Sequence, residues 1–146
     1  MNKKTVNFIL AGISGTVTVL ALTIAIYATF FHDFLGQFLE LSEETIALVS
    51  RDPVKVFPML MANVAHGFLM ATVISWGKFY KLREGAKAGA IIAFLTEMYF
   101  CFSQYAIMKT MSIQSAVIDT VMWTAVNSVV GIVVAFILRR NEKPKQ

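Results

Sequence analysis

The segment Ile113–Leu138 reads IQSAVIDTVMWTAVNSVVGIVVAFIL, and Asp119 is its single charged residue. Arg139 and Arg140 follow it directly. A bilayer hydrocarbon core is about 30 Å thick, and an α-helix needs about 20 apolar residues to cross it. A run of this length that contains no proline and is closed by two arginines therefore predicts a transmembrane helix.

Three further segments share this character. They are residues 6–31, which hold no charge, residues 57–80, which are charge-free until Lys78, and residues 86–108, whose one carboxylate is Glu97. The chain is 57% hydrophobic and 15% charged, against about 45–50% and about 25% in soluble domains. This composition excludes a disordered chain, a soluble coiled coil and a disulfide scaffold. We predict one all-α domain over residues 1–146, an integral membrane four-helix bundle.

Charge supports a lipid partner more than a nucleic acid. The formal net charge is +4 and the pI about 9.3, but the basic residues flank the apolar spans and do not form one surface. We therefore predict the lipid bilayer as a partner and no nucleic acid. Cys101 is the only cysteine, so no intramolecular disulfide can form.

The distribution of the 13 Lys and Arg residues predicts the topology. Ten of them lie before the first span, within or beside the turn that joins the second and third spans, or after the fourth. The other three, Arg51, Lys55 and Lys109, lie on the opposite side. Because Lys and Arg are enriched in cytoplasmic loops, both termini and the tail 139–146 are predicted to be cytoplasmic. The outer loop 32–56 holds apolar residues at helical spacing and predicts a short helix at the outer interface.

Polar residues inside the spans are the candidates for function, because an ionisable group in a membrane costs about 2.5–3.5 kcal/mol and usually faces the bundle interior. On the last three spans these residues fall on one stripe of each helix. We predict that the stripes face one outward-opening pocket that binds a small ligand of unknown identity. The predicted ligand-binding residues are Asn63, His66, Glu97, Gln104, Asp119, Trp123 and Asn127.

Counting about 1.5 Å per residue from the outer end of each span gives the expected depths. Asp119 lies about 9 Å deep, His66 and Trp123 about 14–15 Å, Glu97 about 17–18 Å and Asn127 about 21 Å on this count. Glu97 is thus expected near the middle of the bilayer, where its carboxyl must be protonated, paired with His66 or a cation, or hydrated. The alternative is that the amides only hold helices together by hydrogen bonds.

The sequence supports neither a metal site nor any of the common catalytic motifs. Met59, Met61, Met108 and Met111 cluster at the outer ends of the second and third spans, and thioethers suit Cu(I). Methionine also fills gaps in apolar cores, and the sequence has no Cys pair, so neither a metal nor another cofactor is predicted. Motifs for phosphate binding, zinc proteolysis, serine hydrolysis and dithiol redox chemistry are all missing.

Three functions remain open. The first is a binding or transport protein for a small ligand, a cation or a proton, acting as a homo-oligomer or within a larger membrane complex. The second is an accessory or assembly subunit without a ligand of its own. The third is an intramembrane enzyme in which Glu97 and His66 form an acid–base pair, although no further catalytic group completes a site. Small residues spaced as Gly85-x-x-x-Gly89 predict close helix packing and offer one surface for oligomerisation.

Residues 61–138 also resemble small four-helix proteins of the bacterial inner membrane that have no established activity. The matching stretches are Gly85-Ala-Lys-Ala-Gly89-Ala-Ile-Ile-Ala-Phe94 and Ile118-Asp119-x-x-x-Trp123, with Gly131 two turns later. The resemblance implies a compact inner-membrane bundle and does not include the acidic loop between the first two spans.

Overall fold

The computed structural model describes residues 2–26, 55–109 and 111–141, and within them it contains four α-helices and no strand. The helices are α1 (Lys3–Ile26), α2 (Val56–Trp76), α3 (Leu82–Ile107) and α4 (Ile113–Leu138), followed by a 3₁₀ turn at Arg139–Asn141. Each α-helix is long and apolar enough to cross a membrane. The all-α prediction is confirmed for these residues, whereas the helix predicted within loop 32–56 falls on residues outside the described ranges.

Helix α4 has the predicted bounds, but α2 ends four residues before the predicted Tyr80. The Phe79 N–H donates to the Ile74 carbonyl (3.0 Å) and the Lys78 N–H to the Ser75 carbonyl (3.3 Å). Lys78 has a φ of 52°. This is a Schellman motif, in which a left-handed residue, usually glycine, ends the helix. Hydropathy does not predict this helix end, because the left-handed residue is a lysine and not a glycine.

Helix α4 is the centre of the bundle, because it contacts α1, α2 and α3 and buries more of its length than any other described helix. Its side chains Val130, Val134 and Leu138 are fully buried. They form the core with Met70 and Ile74 of α2. The described helices thus pack as two close pairs, α1 with α2 and α3 with α4, joined mainly through α4.

The small residues Gly85 and Gly89 of α3 pack against another helix of the same chain. A Cβ on Gly85 would lie 2.5 Å from the Gly131 carbonyl oxygen, and a Cβ on Gly89 would overlap the Asn127 carbonyl. A similar crossing joins α1 and α2, where a Cβ on Gly67 would lie 2.6 Å from the Gly12 carbonyl oxygen. Glycine therefore lets these backbones touch. The proposal that Gly85 and Gly89 serve oligomerisation is wrong, because both residues are buried against α4.

Helices α2 and α3 are consecutive but contact each other only slightly. The short turn between them predicts neighbouring antiparallel helices, yet each packs more closely on another partner. Met70 makes one of the contacts between α2 and α3, since its Cε lies 3.0 Å from the position that a Cβ would take on Gly89. The bundle is therefore more open between α2 and α3 than between α3 and α4.

Candidate functional site

A hydrogen bond joins α2 to α4 in the interior. His66 Nε2 lies 2.6 Å from Asn127 Oδ1, and the Asn127 side chain is fully buried. Asn127 Nδ2 donates to the Trp123 carbonyl one turn earlier at 3.0 Å. Because Nδ2 is a donor there, Oδ1 accepts from His66, which places the imidazole proton on Nε2. The His66 and Trp123 rings also stand close, with centroids 6.5 Å apart.

A second polar group joins α3 to α4. The Cys101 thiol donates to Glu97 Oε2 at 3.6 Å, and the Thr120 side chain lies close to the same thiol. The Glu97 carboxyl is half-buried and lies within electrostatic range of both Asp119 and His66. Three ionisable side chains from three helices are thus brought into one region. We call Asn127, His66, Trp123, Glu97, Cys101, Thr120 and Asp119 together the polar seam.

The order of these groups along the bundle differs from the expected one. Asn127 is level with His66 through their hydrogen bond, and Cys101 is level with Thr120. Glu97, one turn from Cys101, therefore lies near the level of Trp123. At about 1.5 Å per residue, Asp119 lies about 9 Å, Glu97 about 15 Å and His66 about 21 Å along the bundle from the level of Ile113. The expectation that Glu97 lies deeper than His66 is wrong.

The reason is that α2 is set back from the outer end of the bundle. His66 is ten residues into α2, whereas Asn127, at the same level, is fourteen residues into α4. The offset of four residues moves the start of α2 about 6 Å inward relative to that of α4. Counting each span from its own apolar boundary assumes level helix ends, and that assumption fails for α2.

Two of the seven predicted residues stand apart from the seam. Asn63 Nδ2 donates to the Met59 carbonyl of its own helix at 2.8 Å, which satisfies the amide without a partner helix. Gln104 is half-buried on α3, one turn nearer the outer end than Cys101. Thr120 is a seam residue that the sequence does not single out, since nothing in its spacing separates it from the other threonines of the spans.

The described recesses of the surface lie elsewhere. One of about 290 Å³ lies between α2 and α3 near Val73 and Ile92, and one of about 500 Å³ lies on α4 near Phe136. A third, of about 320 Å³, lies near Val117. None of these three is lined by a seam residue, so the outward-opening pocket stays a prediction.

The donor geometry of the seam is not that of a metal chelate. Among the described residues, no group of three or more His, Cys, Asp and Glu side chains converges closely enough to hold a metal ion. Met59, Met61 and Met108, at the outer ends of α2 and α3, are all exposed. Glu97 and His66, the two residues of the acid–base hypothesis, have different hydrogen-bond partners in the described residues, Cys101 and Asn127.

Comparison of the chain with protein-family models, with curated proteins and with solved structures finds no match.

Proposed function

We propose that this chain is a multi-pass protein of the bacterial inner membrane with both termini in the cytoplasm. The four long apolar helices support membrane crossing, and the excess of Lys and Arg at one end supports the orientation. The resemblance of residues 61–138 to four-helix inner-membrane proteins belongs to the same proposal. Cysteine scanning in a Cys101→Ala background tests it, because labelling of a tail cysteine from outside intact cells would contradict this topology.

The proposed function is the reversible binding of a proton or a small cation at the outer half of the polar seam. The observation behind this is that Glu97 interacts electrostatically with Asp119 on the neighbouring helix. Two carboxylates near each other in a low-dielectric region repel when both are ionised, and a shared proton or a cation relieves that repulsion. His66, which interacts with the same carboxyl from the deeper side, adds a third titratable group.

A proton or a monovalent cation fits this arrangement better than a multivalent metal. A multivalent metal needs several ligand atoms at bonding distance, which the described residues do not provide. A proton needs one carboxyl oxygen. The Glu97 carboxyl provides an oxygen for a proton, and a hydrogen bond from Cys101 holds this carboxyl in place.

Infrared difference spectroscopy on the full chain in proteoliposomes tests the binding function. We expect a pH-dependent band of a protonated carboxyl in the wild type and its loss in Glu97→Gln. Glu84→Gln is the matched control, because Glu84 lies at the opposite end of α3 in an exposed ion pair with Lys81 (3.0 Å). Spectra of the wild type that change with neither pH nor added monovalent cations would contradict the proposal.

Transport of the bound ion would need more than one copy of this chain or a larger partner. Carriers that work by alternating access are usually built from two structural repeats, and one four-helix bundle provides no second repeat. We therefore propose a homo-oligomer or a larger membrane complex. Cross-linking in native membranes tests this, and a chain that remains monomeric would restrict the function to binding.

The second candidate is an accessory subunit whose polar residues only hold the helices together. The His66–Asn127 bond favours it, because both the oxygen and the nitrogen of the Asn127 side-chain amide have a hydrogen-bond partner within the chain. A substitution of Glu97 distinguishes the two functions. An accessory role predicts that Glu97→Gln assembles normally and changes no ion-dependent property.

A further inference from the structure

The recess of about 500 Å³ on α4 is an apolar groove at the end of the bundle where the chain carries its two adjacent arginines. Helices α1 and α3 flank it without covering α4 there. Its lining is apolar apart from one hydroxyl and one guanidinium: Leu10, Ser14, Leu82, Ile132, Val133, Phe136, Ile137 and Arg140. We call this the α4 groove.

Two guanidinium groups gather at the mouth of this groove. Arg139 Cζ lies 5.2 Å and Arg140 Cζ 5.5 Å from the centroid of the same ring, that of Phe136. Within the described part of the chain, neither arginine has a carboxylate within salt-bridge distance. Lys3 adds a third cation at this end, because it lies on the same face of α1 as Leu10 and Ser14 by helical spacing.

Positive charges placed close together repel each other, and an anion between them lowers that repulsion. Guanidinium groups bind phosphate oxygens in a bidentate manner. Below the arginines the groove offers an apolar surface along α4. A ligand that complements both parts has a phosphate head and a hydrocarbon chain.

We propose that the α4 groove binds an anionic phospholipid of the cytoplasmic leaflet, with its phosphate held by Arg139 and Arg140 and one acyl chain lying along Ile132 and Phe136. The site requires only that the helices cross a bilayer in the proposed orientation. It does not depend on ion binding at the polar seam, which lies nearer the other end of α4.

The second groove of the structure supplies a matched comparison. Between α2 and α3 an apolar recess of about 290 Å³ is bordered by Lys87 and Glu84. Glu84 binds Lys81 there, so an acidic group accompanies the cation. We expect this α2–α3 recess to admit acyl chains without selecting an anionic head group.

Native mass spectrometry of the detergent-solubilised full chain tests the proposal with phosphatidylglycerol and phosphatidylcholine of identical acyl chains. Each cation near an anionic lipid surface strengthens binding roughly fivefold, so we expect the wild type to prefer phosphatidylglycerol by at least that factor. Arg139→Gln combined with Arg140→Gln should bring the two affinities together. Lys87→Gln, which removes one positive charge beside the α2–α3 recess, should leave the preference intact.

A second variant separates the groove from the charges. Ile132→Trp fills the groove and should weaken both lipids equally while keeping the preference for the anionic one. Equal affinities in the wild type, or a preference that survives the double arginine substitution, would overturn the proposal. Dimers that appear in place of lipid adducts and vanish in Ile132→Trp would show that a second copy of the chain occupies the groove, which would also overturn it.

Discussion

His66 on α2 and Asn127 on α4 are joined by a 2.6 Å hydrogen bond although 61 positions separate them in the chain. Among the hydrogen bonds described between side chains, it is the one that joins α2 to α4. The bond fixes the relative height of the two helices, because moving α2 by one turn would take His66 about 5.4 Å from its partner.

We predict that His66 and Asn127 are energetically coupled. A double-mutant cycle with His66→Ala and Asn127→Ala should give a coupling free energy of about 0.6 kcal/mol, and at most about 1.7 kcal/mol, as found for such bonds between membrane helices. Reversible unfolding in mixed micelles measures it. Asn63→Ala is the control, since Asn63 bonds only its own helix, and it should show no coupling to His66.

The crossing of α3 and α4 should tolerate no added methyl group. Gly89→Ala places a Cβ against the Asn127 backbone, which cannot move aside without shifting the helix. We expect a loss of about 1–3 kcal/mol in the free energy of unfolding, as for other overpacked cores. Gly12→Ala should cost less, because its Cβ meets the Phe68 ring, a side chain that can rotate. Equal costs for the two variants would contradict this account.

Lys78 should be replaceable by glycine with a gain in stability. Its φ of 52° lies in the left-handed region, where a side chain costs about 1 kcal/mol. Lys78→Gly removes that cost. The greater flexibility of glycine in the unfolded chain offsets part of the gain in stability. Thermal unfolding should show a higher midpoint for Lys78→Gly than for Lys78→Ala. A lower midpoint for the glycine variant would mean that this turn does not form.

Cys101 should resist thiol reagents in the folded bundle. It is 2% exposed, and its thiol has partners on α3 and α4. We expect a water-soluble maleimide to label the protein only after denaturation. Since Cys101 is the single cysteine, the mass change reports on it alone. Rapid labelling of the native protein would show that water reaches this level of the seam from the outer side.

The sequence predicts the helices better than it predicts their relative heights. Hydropathy and the flanking arginines place α4 correctly, because both ends of that span are marked by polar residues. Residue counting from the outer end of each span assumes that the helix ends are level, so it places His66 level with Trp123 instead of with Asn127. Register between helices depends on contacts such as that of Gly67 with Gly12, which no single span encodes.

In the polar seam, too, the sequence predicts which residues of one helix lie together but not which residues of another helix join them. Glu97 and Cys101 are four residues apart, and helical periodicity alone predicts that they share a face. Thr120 joins them only because Gly85 and Gly89 bring α3 against α4 at one particular height. Small residues in the sequence predict that some close crossing exists, but the identity of the partner helix follows from the assembled bundle.

The central position of α4 has a consequence for biosynthesis. Of the four described helices it emerges last from the ribosome, yet it joins α3 to the pair formed by α1 and α2. Until it arrives, Gly85 and Gly89 of α3 lack the helix they pack against, and His66 of α2 lacks the amide oxygen that accepts its hydrogen bond. A polar imidazole left in hydrocarbon is unfavourable, so the nascent chain carries an internal marker of incompleteness. Membrane proteases and insertion chaperones that survey such exposed groups would distinguish a three-helix intermediate from the finished protein by this residue.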